Sequence, residues 1–333
     1  MYTRLIRWQP AIYEHKAALI GRAPLEVSRS ADLMVEALLR EFEIYGADYL
    51  TVGLDVYNVE AEALGANVMA AAPLACPDLT GPLFDLDKLP ATLPQPGIPT
   101  AGRFGIFLEA GLRVQAGLGD RSHVRVAASG PVTLAAKLTN PEAIILSLCM
   151  EDGQAERLLA FCTQISAQWL RCLRSHNLDA IVFDSMAAPP MFSPELYARH
   201  VLPLHQHLMT ILRESNQQER ELVIGGNTAP ITRLLSSTGA NILLCDYATD
   251  AKTFKDAFGD DGALTIRRNI APTALSQADT SIAVQQFTAD LARFSHPIAG
   301  TGILPYSFEP EIFHRFRQQL EMESARQCDA NMP

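Results

Sequence analysis

Three aspartates, Asp55, Asp184 and Asp246, stand at or just after the ends of short apolar segments that are predicted to be buried strands. A carboxylate there can stabilise a cation that develops in a transition state, transfer a proton, or hold the N–H groups of a ligand. The structural alternative for each is an acid that caps the following turn. We predict all three as catalytic residues.

Other polar residues and glycines follow the same kind of segment. Asn227 can present its amide to a ligand or cap a helix, and Gly225 and Gly226 allow either close approach of a ligand to the backbone or close helix packing. Arg267 and Arg268 end a strand side by side, so only one of them can face the site. We predict Asn227, Gly226 and Arg268 as substrate-binding, since a guanidinium binds a carboxylate or phosphate through two hydrogen bonds. The alternative for Arg268 is a surface ion pair.

A cysteine and three histidines carry weaker signals. Cys245 precedes Asp246, and adjacent strand residues point to opposite sides, so Cys245 is interpreted as a buried structural thiol. His200, His205 and His207 follow one helix start, with no cysteine or acid to complete a ligand set. We interpret them as a solvated or core-rim cluster rather than a metal site.

The segments that must position these residues are nearly continuous apolar runs, which is typical of parallel strands covered by helices. Residues 221–250 show the unit, a strand, a turn, a helix and a second strand. A doubly wound open sheet would also alternate strands and helices, but it concentrates its site at one switch point. Polar residues end almost every strand here, which predicts a (β/α)₈ TIM barrel with N-terminal helical additions. The predicted strands are residues 48–52, 124–127, 179–183, 222–224, 242–244, 263–266 and 297–298.

The remaining segments predict one domain over residues 1–333. Residues 1–29 are expected to form an arm or short helices, and residues 322–333 a frayed tail. Residues 74–99 are rich in proline, which indicates a surface loop or a lid over the site. Helix starts are predicted at Ser30, Asn140 and Ser193.

Composition limits the class of protein. A net charge of −10 argues against a nucleic-acid partner, which needs a basic surface. Apolar runs are too short for a membrane span, and the first 16 residues contain no apolar segment of signal-peptide length. The six cysteines are scattered without CxxC spacing, as in reduced thiols. We therefore expect a cytoplasmic protein without a membrane or nucleic-acid partner.

Four stretches stand out when they are read together: LDVYNVEAEALGANV (residues 54–68), SGPVTLAAKL (129–138), AIVFDSMAAPPMFSPELYARHVLPLHQ (180–206) and VIGGNTAPI with ILLCDYATD (223–231 and 242–250). In this combination and order they resemble the uroporphyrinogen decarboxylase superfamily. This superfamily contains haem-pathway decarboxylases and cobamide-dependent methyltransferases that act on thiols, and the resemblance implies a barrel, a site at the strand ends and a homodimer.

The chain departs from the decarboxylases in that superfamily. Their arginine-bearing MRQAGRY stretch, which grips substrate carboxylates, is not found, and Arg4, Arg7 and Arg22 have unrelated contexts. Asp55 is similar to the aspartate of their FSDIL segment. The tyrosine after their GPWT motif falls at or near Lys137. Several substrate carboxylates would therefore lack cations.

The methyltransferase branch is more similar in the 54–68 stretch and around His205, but its zinc ligands are replaced. That branch binds zinc through an HxC pair and a later cysteine, and the matching positions hold Val223, Gly225 and Thr301. Valine and glycine have no side-chain donor. The resemblance therefore implies a protein without zinc, in which Thr301 joins the substrate-binding candidates.

Three functions stay open. The first is a zinc-independent transfer of a methyl group from a methylcobamide co-substrate, with a corrinoid protein as a possible partner and no tightly bound cofactor. The second is decarboxylation of a porphyrinogen or another polycarboxylate. The third is non-catalytic binding of a tetrapyrrole or corrinoid, because neither catalytic residue set is intact.

Overall fold

The computed structural model describes residues 6–259 and 262–330, and its centre is a sheet of eight parallel strands. Consecutive strands from the second to the eighth are neighbours, and the eighth pairs with the first. In chain order the strands are β1 (Arg7–Ala11), β2 (Tyr49–Val52), β3 (His123–Ser129), β4 (Asp179–Phe183), β5 (Glu221–Val223), β6 (Ile242–Cys245), β7 (Thr265–Ile270) and β8 (Pro297–Ile303).

The ring of strands closes between β1 and β2. The Asp48 N–H donates to the Trp8 carbonyl at 3.0 Å, and the Trp8 N–H donates to the Asp48 carboxylate at 2.6 Å. On the other side, β1 pairs in parallel with β8, with Trp8 opposite Ala299. The predicted (β/α)₈ TIM barrel is confirmed.

The first strand lies where no strand is predicted, because residues 1–29 are expected to form an arm or short helices. Trp8 packs outward against Phe313, whereas the side chains of Arg7 and Gln9 bond to Glu219 and Glu221. Strand β1 therefore lacks the continuous apolar run by which the other strands are recognised. The prediction is wrong for Arg7–Ala11 for that reason, whereas the short helices Glu14–Ala18 and Pro24–Ser28 agree with it.

Helices connect the strands on the outside of the barrel, and the helix starts predicted at Ser30, Asn140 and Ser193 are confirmed by side-chain caps. A π-helical turn, Tyr197–Val201, joins two of the helices. The α-helices are α1 (Glu14–Ala18), α2 (Pro24–Ser28), α3 (Ala31–Tyr45), α4 (Val59–Ala63), α5 (Phe104–Leu118), α6 (Pro131–Leu138), α7 (Pro141–Met150), α8 (Gln154–Ser175), α9 (Pro194–Leu196), α10 (Leu202–Glu214), α11 (Thr232–Leu235), α12 (Ala251–Phe258), α13 (Pro272–Leu275), α14 (Ser281–Ala292) and α15 (Pro310–Ala330).

Two predicted irregular segments have defined positions. Residues 74–99 contain one strand of a short antiparallel pair, Val68–Met69 with Asp78–Leu79, and they dock on the end of α6 through hydrogen bonds to the Leu138 carbonyl. The tail is helical to Ala330 rather than frayed from residue 322, and residues 331–333 lie outside the described part.

The described helices include none that is long and apolar enough to cross a membrane alone. Only α6 and α7 pass such a test together, and they are bent by 109°.

The barrel interior is layered, because alternate strand residues point inward. Near the carboxyl ends of the strands the inward side chains form an apolar cluster that includes Ile181, Phe183 and Leu244. Below this cluster Glu221 contacts the guanidinium groups of Arg125 and Arg267, and all three side chains are buried. The lumen is thus a packed core with a buried ionic layer.

His123, Asp179 and Glu219 form a charged cluster near the amino ends of the strands, and we expect this cluster to make the stability of the fold depend on pH. Although burial opposes charging of His123, hydrogen bonds to Asp179 and Glu219 at 2.7 and 2.9 Å raise the pKa of this histidine. A raised histidine pKa stabilises the fold fully below about pH 6.5, and this contribution disappears as the pH rises through the folded-state pKa. We expect the free energy of unfolding to fall with rising pH in this window and the fall to be smaller in His123→Gln, as urea unfolding at several pH values would show. An equal pH dependence of both proteins would contradict this prediction.

Candidate active site

A small cavity of about 120 Å³ lies among the carboxyl ends of the barrel strands, where barrel enzymes carry their sites. Its lining combines one carboxylate, one guanidinium and several hydroxyl and amide groups with apolar residues. The lining residues are Ala11, Tyr13, Tyr57, Ser185, Val223, Gly225, Leu244, Asp246, Tyr247, Arg267, Asn269, Thr301, Gly302 and Ile303.

Asp246, one of the three predicted catalytic aspartates, lines this cavity. It directly follows β6, and its carboxylate accepts hydrogen bonds from the Gly226 N–H at 2.9 Å and from the Asn269 amide at 3.2 Å. Strand alternation turns Cys245 outward, where burial raises the pKa of its thiol to about 11. Cys245 is therefore a buried thiol, as expected, and Asp246 is the carboxylate of the cavity.

Arg267 and Arg268 point in the directions opposite to those predicted, since Arg268 was expected to face the site. Arg267 faces the lumen and lines the cavity, while Arg268 points outward to Asp290 at 2.9 Å and to backbone carbonyls after β6. Leu244 is paired with Arg267 and Cys245 with Arg268, and paired residues of neighbouring strands share a face. The inward position of Leu244 thus decides the direction of both arginines, and the placement of Arg268 at the mouth is wrong.

Asp184 lies outside the cavity in a buried network. Its carboxylate accepts hydrogen bonds from the Val132 and Thr133 N–H groups at the start of α6, at 3.3 and 2.6 Å. It also contacts the His205 imidazole at 2.7 Å, and the other nitrogen of His205 contacts the Tyr197 hydroxyl at 2.9 Å. The Asp184 carboxylate thus caps helix α6 and not the turn that follows β4, which differs from the structural alternative expected for it. It ties β4 to helices α6 and α10.

The Asp55 carboxylate is likewise bound by a residue from another part of the chain, Arg103. Both of its oxygens accept hydrogen bonds from Arg103, at 2.8 and 2.6 Å, and Arg103 also contacts Glu62. Neither the Asp55 nor the Arg103 side chain is more than 3% exposed. A barrel was expected to bring Asp55, Asp184 and Asp246 to one cavity, but of the three only Asp246 lines it, because the other two carboxylates are held by distant partners.

The predicted substrate-binding residues occupy different surroundings. Gly226 adopts a φ of +78° and lies beside the larger cavity described below, and Thr301 lines the small cavity with its hydroxyl accepting the Ala11 N–H at 3.0 Å. Asn227 is exposed, and its side chain accepts the Ala229 N–H at 3.1 Å, which is a turn cap.

Several cavity residues were not among the sequence candidates. The Tyr57 hydroxyl contacts the Ser185 hydroxyl at 2.8 Å, and burial raises the pKa values of Tyr13 and Tyr57, which keeps both phenols protonated. Ser185 follows Asp184, and Asn269 lies two residues after Arg267, so strand alternation could have identified Asn269. Tyr13 follows the unrecognised strand β1 and carried no such signal.

A larger cavity of about 900 Å³ adjoins the small one and shares Ser185 and Gly225 with it. Its remaining lining is mostly apolar and comes from α7 and the segment after β4. The other lining residues are Pro141, Glu142, Ile145, Leu146, Cys149, Met186, Ala188, Pro189, Pro190, Met191 and Gly226.

The three positions that match the zinc ligands of the methyltransferase branch meet in the small cavity. Val223, Gly225 and Thr301 all line it. Across residues 6–259 and 262–330, no group of three or more histidine, cysteine or acidic side chains is arranged to hold a metal ion. A tetrahedral zinc site does not fit these residues.

The predicted histidine cluster is also dispersed. His205 is fully buried against Asp184, and His207 is exposed. His200 lies 3.6 Å from Glu156. The exposed position of His207 agrees with the interpretation of a solvated or core-rim cluster, whereas the fully buried His205 does not.

Comparisons with known proteins agree with the barrel. Residues 9–295 match the uroporphyrinogen decarboxylase (URO-D) family. A solved methyltransferase from Methanosarcina mazei superposes with a TM-score of 0.79 at 19% sequence identity, covering 97% of this chain and 95% of that one. A search of curated proteins found no significant match. The chain therefore belongs to the uroporphyrinogen decarboxylase family.

Proposed function

We propose that the protein is a methyltransferase that needs no zinc, with its methyl acceptor bound in the small cavity at Asp246. One observation carries this proposal: Asp246 is the single carboxylate among the described residues that line the small cavity, and the small cavity adjoins a cavity of about 900 Å³ with mostly apolar walls. The Asp246 carboxylate contacts hydrogen-bond donors but no cation among the described residues. It is therefore free to act as a base.

The missing side chain at Gly225 leaves room for the acceptor atom. A Cβ placed on Gly225 would lie 3.7 Å from the Asp246 carboxylate and 3.8 Å from the Ser185 hydroxyl. An S–H, O–H or N–H group bound in this space can give its proton to Asp246 as it forms a bond to the methyl carbon. The Ser185 hydroxyl can hold the same group in place by a hydrogen bond.

The larger cavity is the proposed site for the methyl-bearing face of a methylcobamide donor. Its volume lies near the upper end of the range for small-molecule pockets, and its apolar walls suit one face of a flat ring. A bound methylcobamide, free or carried by a corrinoid protein, would supply the methyl group and retain the electron pair of the bond that breaks. The protein's own residues then bind, orient and deprotonate the acceptor.

Decarboxylation of a polycarboxylate has less support. Arg267 is the single arginine or lysine among the described residues that line the two cavities, and it already contacts Glu221 at 2.7 Å. Arg103 is held by Asp55 and Glu62. Several substrate carboxylates would therefore be desolvated without cationic partners, which is costly.

Titration with methylcobalamin, followed by absorbance, tests the proposal. We expect saturable binding, and loss of the methylcobalamin absorbance when a small thiol is added to the complex. Absence of binding would remove the main support, and formation of coproporphyrinogen from uroporphyrinogen would favour the decarboxylase. Binding without turnover across a range of thiols, alcohols and amines would favour the non-catalytic alternative.

The absence of zinc is a separate prediction. Val223 and Gly225 offer no side-chain ligand for a metal ion. The adjacent residues Cys245 and Asp246 point to opposite sides of the sheet, so they cannot both reach one ion without a bulge. We therefore expect no stoichiometric zinc after dialysis against a mild chelator. Elemental analysis of the purified protein measures this. One tightly held zinc per chain would show that the ligands lie elsewhere.

A further inference from the structure

A third cavity, of about 240 Å³, lies beside the small cavity and shares Tyr13, Tyr57 and Ile303 with it. We call it the side cavity. It is lined mainly by residues that follow β2 and by the beginning of the proline-rich segment 74–99, and the proposed methyl transfer does not use it. Its lining combines three carboxylates, one ammonium, one amide and one thiol with apolar residues.

One carboxylate of the side cavity has no cationic partner. Asp78 contacts the Lys137 ammonium, and Asp55 is held by Arg103. Glu14, at the start of α1, is half-buried, and its carboxylate forms no ion pair with another side chain within residues 6–259 and 262–330. The side cavity therefore carries an uncompensated negative charge at Glu14.

The surroundings of Cys76, which also lines the side cavity, agree with this excess of negative charge. Burial raises the pKa of the Cys76 thiol to about 12, and the negative charges of Asp55 and Glu14 contribute to the shift. Lys137 opposes the shift without cancelling it. Burial also raises the pKa of Glu14, because it disfavours the ionised carboxylate. A cation bound beside Glu14 would stabilise the ionised form.

An unpaired hydrogen-bond acceptor belongs to the same lining. The Asn58 side chain is buried, and its amide nitrogen donates to the Pro77 carbonyl at 2.8 Å. The buried Oδ1 of Asn58 has no hydrogen-bond partner. Buried polar atoms are nearly always paired, so this oxygen indicates a missing donor. Glu14 and Asn58 thus both lack a group that donates a hydrogen bond.

We propose that the side cavity binds a small organic cation, a primary or secondary amine with an apolar tail, through Glu14. The ammonium group supplies the positive charge that Glu14 lacks and N–H donors for Glu14 and Asn58. The rings of Tyr13 and Tyr57 offer aromatic surfaces against which an ammonium group packs favourably. This site is separate from the methyl-acceptor position at Asp246 and does not depend on the proposed function.

Two other classes of ligand fit the side cavity less well. A metal ion of the Ca²⁺ or Mg²⁺ type needs several oxygen ligands, and the described part of the chain contains no group of three or more histidine, cysteine or acidic side chains arranged to hold one. An anion would be repelled by Glu14, and Lys137 is already paired with Asp78.

Calorimetric titration of the full-length protein at neutral pH tests the proposal. The probes are 3-methylbutylamine and its uncharged counterpart 3-methyl-1-butanol, which has the same carbon skeleton. Because a hydrogen bond between charged groups is stronger than one between neutral groups, we expect the amine to bind roughly ten- to a hundredfold more tightly. Equal binding of the two probes, or no binding of the amine, would overturn the proposal.

Three variants locate the bound amine. Glu14→Gln keeps the size of the side chain without its charge and is expected to remove the preference for the amine. Glu36→Gln, which changes an exposed acid on α3, is the matched control and is expected to keep it. Asp246→Asn is also expected to keep it. A preference that survives Glu14→Gln, or that is lost in Asp246→Asn instead, would refute the assignment to the side cavity.

Lys137→Met decides the matter if Glu14→Gln does not fold. The Lys137 side chain is partly exposed, and its replacement frees Asp78 and removes the positive charge that competes with the amine. We expect the amine to bind roughly two- to fivefold more tightly to this variant, which is the size of a partly exposed charge interaction, and the alcohol to bind as before. An unchanged or weaker affinity for the amine would count against the site.

Discussion

Replacing Asp246 with asparagine is expected to lower the rate of methyl transfer by roughly 10²- to 10⁴-fold, which is the usual contribution of a general base. Asparagine keeps the size of the side chain and can still accept the Gly226 N–H, but it cannot take the acceptor's proton. The measurement is the initial rate of methylcobalamin consumption at saturating acceptor.

A small loss of stability accompanies this change. The Asn269 amide donates to one oxygen of Asp246 at 3.2 Å, and the Gly226 N–H donates to the other. An asparagine at position 246 has only one side-chain oxygen, so one of these two hydrogen bonds is lost. We expect unfolding to become easier by about 1–2 kcal/mol, and the variant to remain folded at 25 °C. Thermal melting separates this loss from the loss of rate.

Asp250→Asn is the matched control. Asp250 lies four residues further along and caps α12 through the Lys252 N–H at 2.9 Å, a role that asparagine fills equally well. Its rate should equal that of the unchanged protein. An Asp246→Asn variant as active as this control would exclude Asp246 as the base.

Asp55→Ala is expected to cost about 3–5 kcal/mol of stability, since it leaves Arg103 buried beside Glu62 alone. Both hydrogen bonds of the bidentate pair disappear. Urea unfolding measures the change as a lower midpoint at an unchanged slope.

The control for this prediction is an exposed ion pair. Arg199 and Glu151 contact each other at 2.7 Å with more than half of each side chain in solvent. Arg199→Ala should unfold at nearly the same urea concentration as the unchanged protein, because exposed pairs contribute little. If Asp55→Ala also unfolded there while losing activity, the assignment of Asp55 to the scaffold would be wrong and its predicted catalytic role would be favoured.

Local sequence patterns determined most of the barrel. Strands β2 to β8 each overlap a short apolar run that is visible in the sequence, and caps such as Asn140 and Ser193 mark the helix starts. These signals depend on residues close in sequence, so they need no knowledge of the folded chain. Strand β1 is the exception, because its inward residues bond to Glu219 and Glu221, more than 200 positions away.

Only the tertiary structure decided which side chains form the site. Arg267 and Arg268 are equivalent in the sequence, and the inward position of Leu244 on the neighbouring strand assigns Arg267 to the lumen. Asp55 and Asp246 both follow strands, but Arg103 comes from a distant segment to engage Asp55. The sequence shows that alternate residues of a strand face the same side, but which set faces the lumen is known only when neighbouring strands are paired. The partner of a charged side chain is likewise known only when distant segments meet in the fold. The sequence by itself therefore determined the scaffold and its family, whereas packing placed Asp246, and neither Asp55 nor Asp184, at the small cavity.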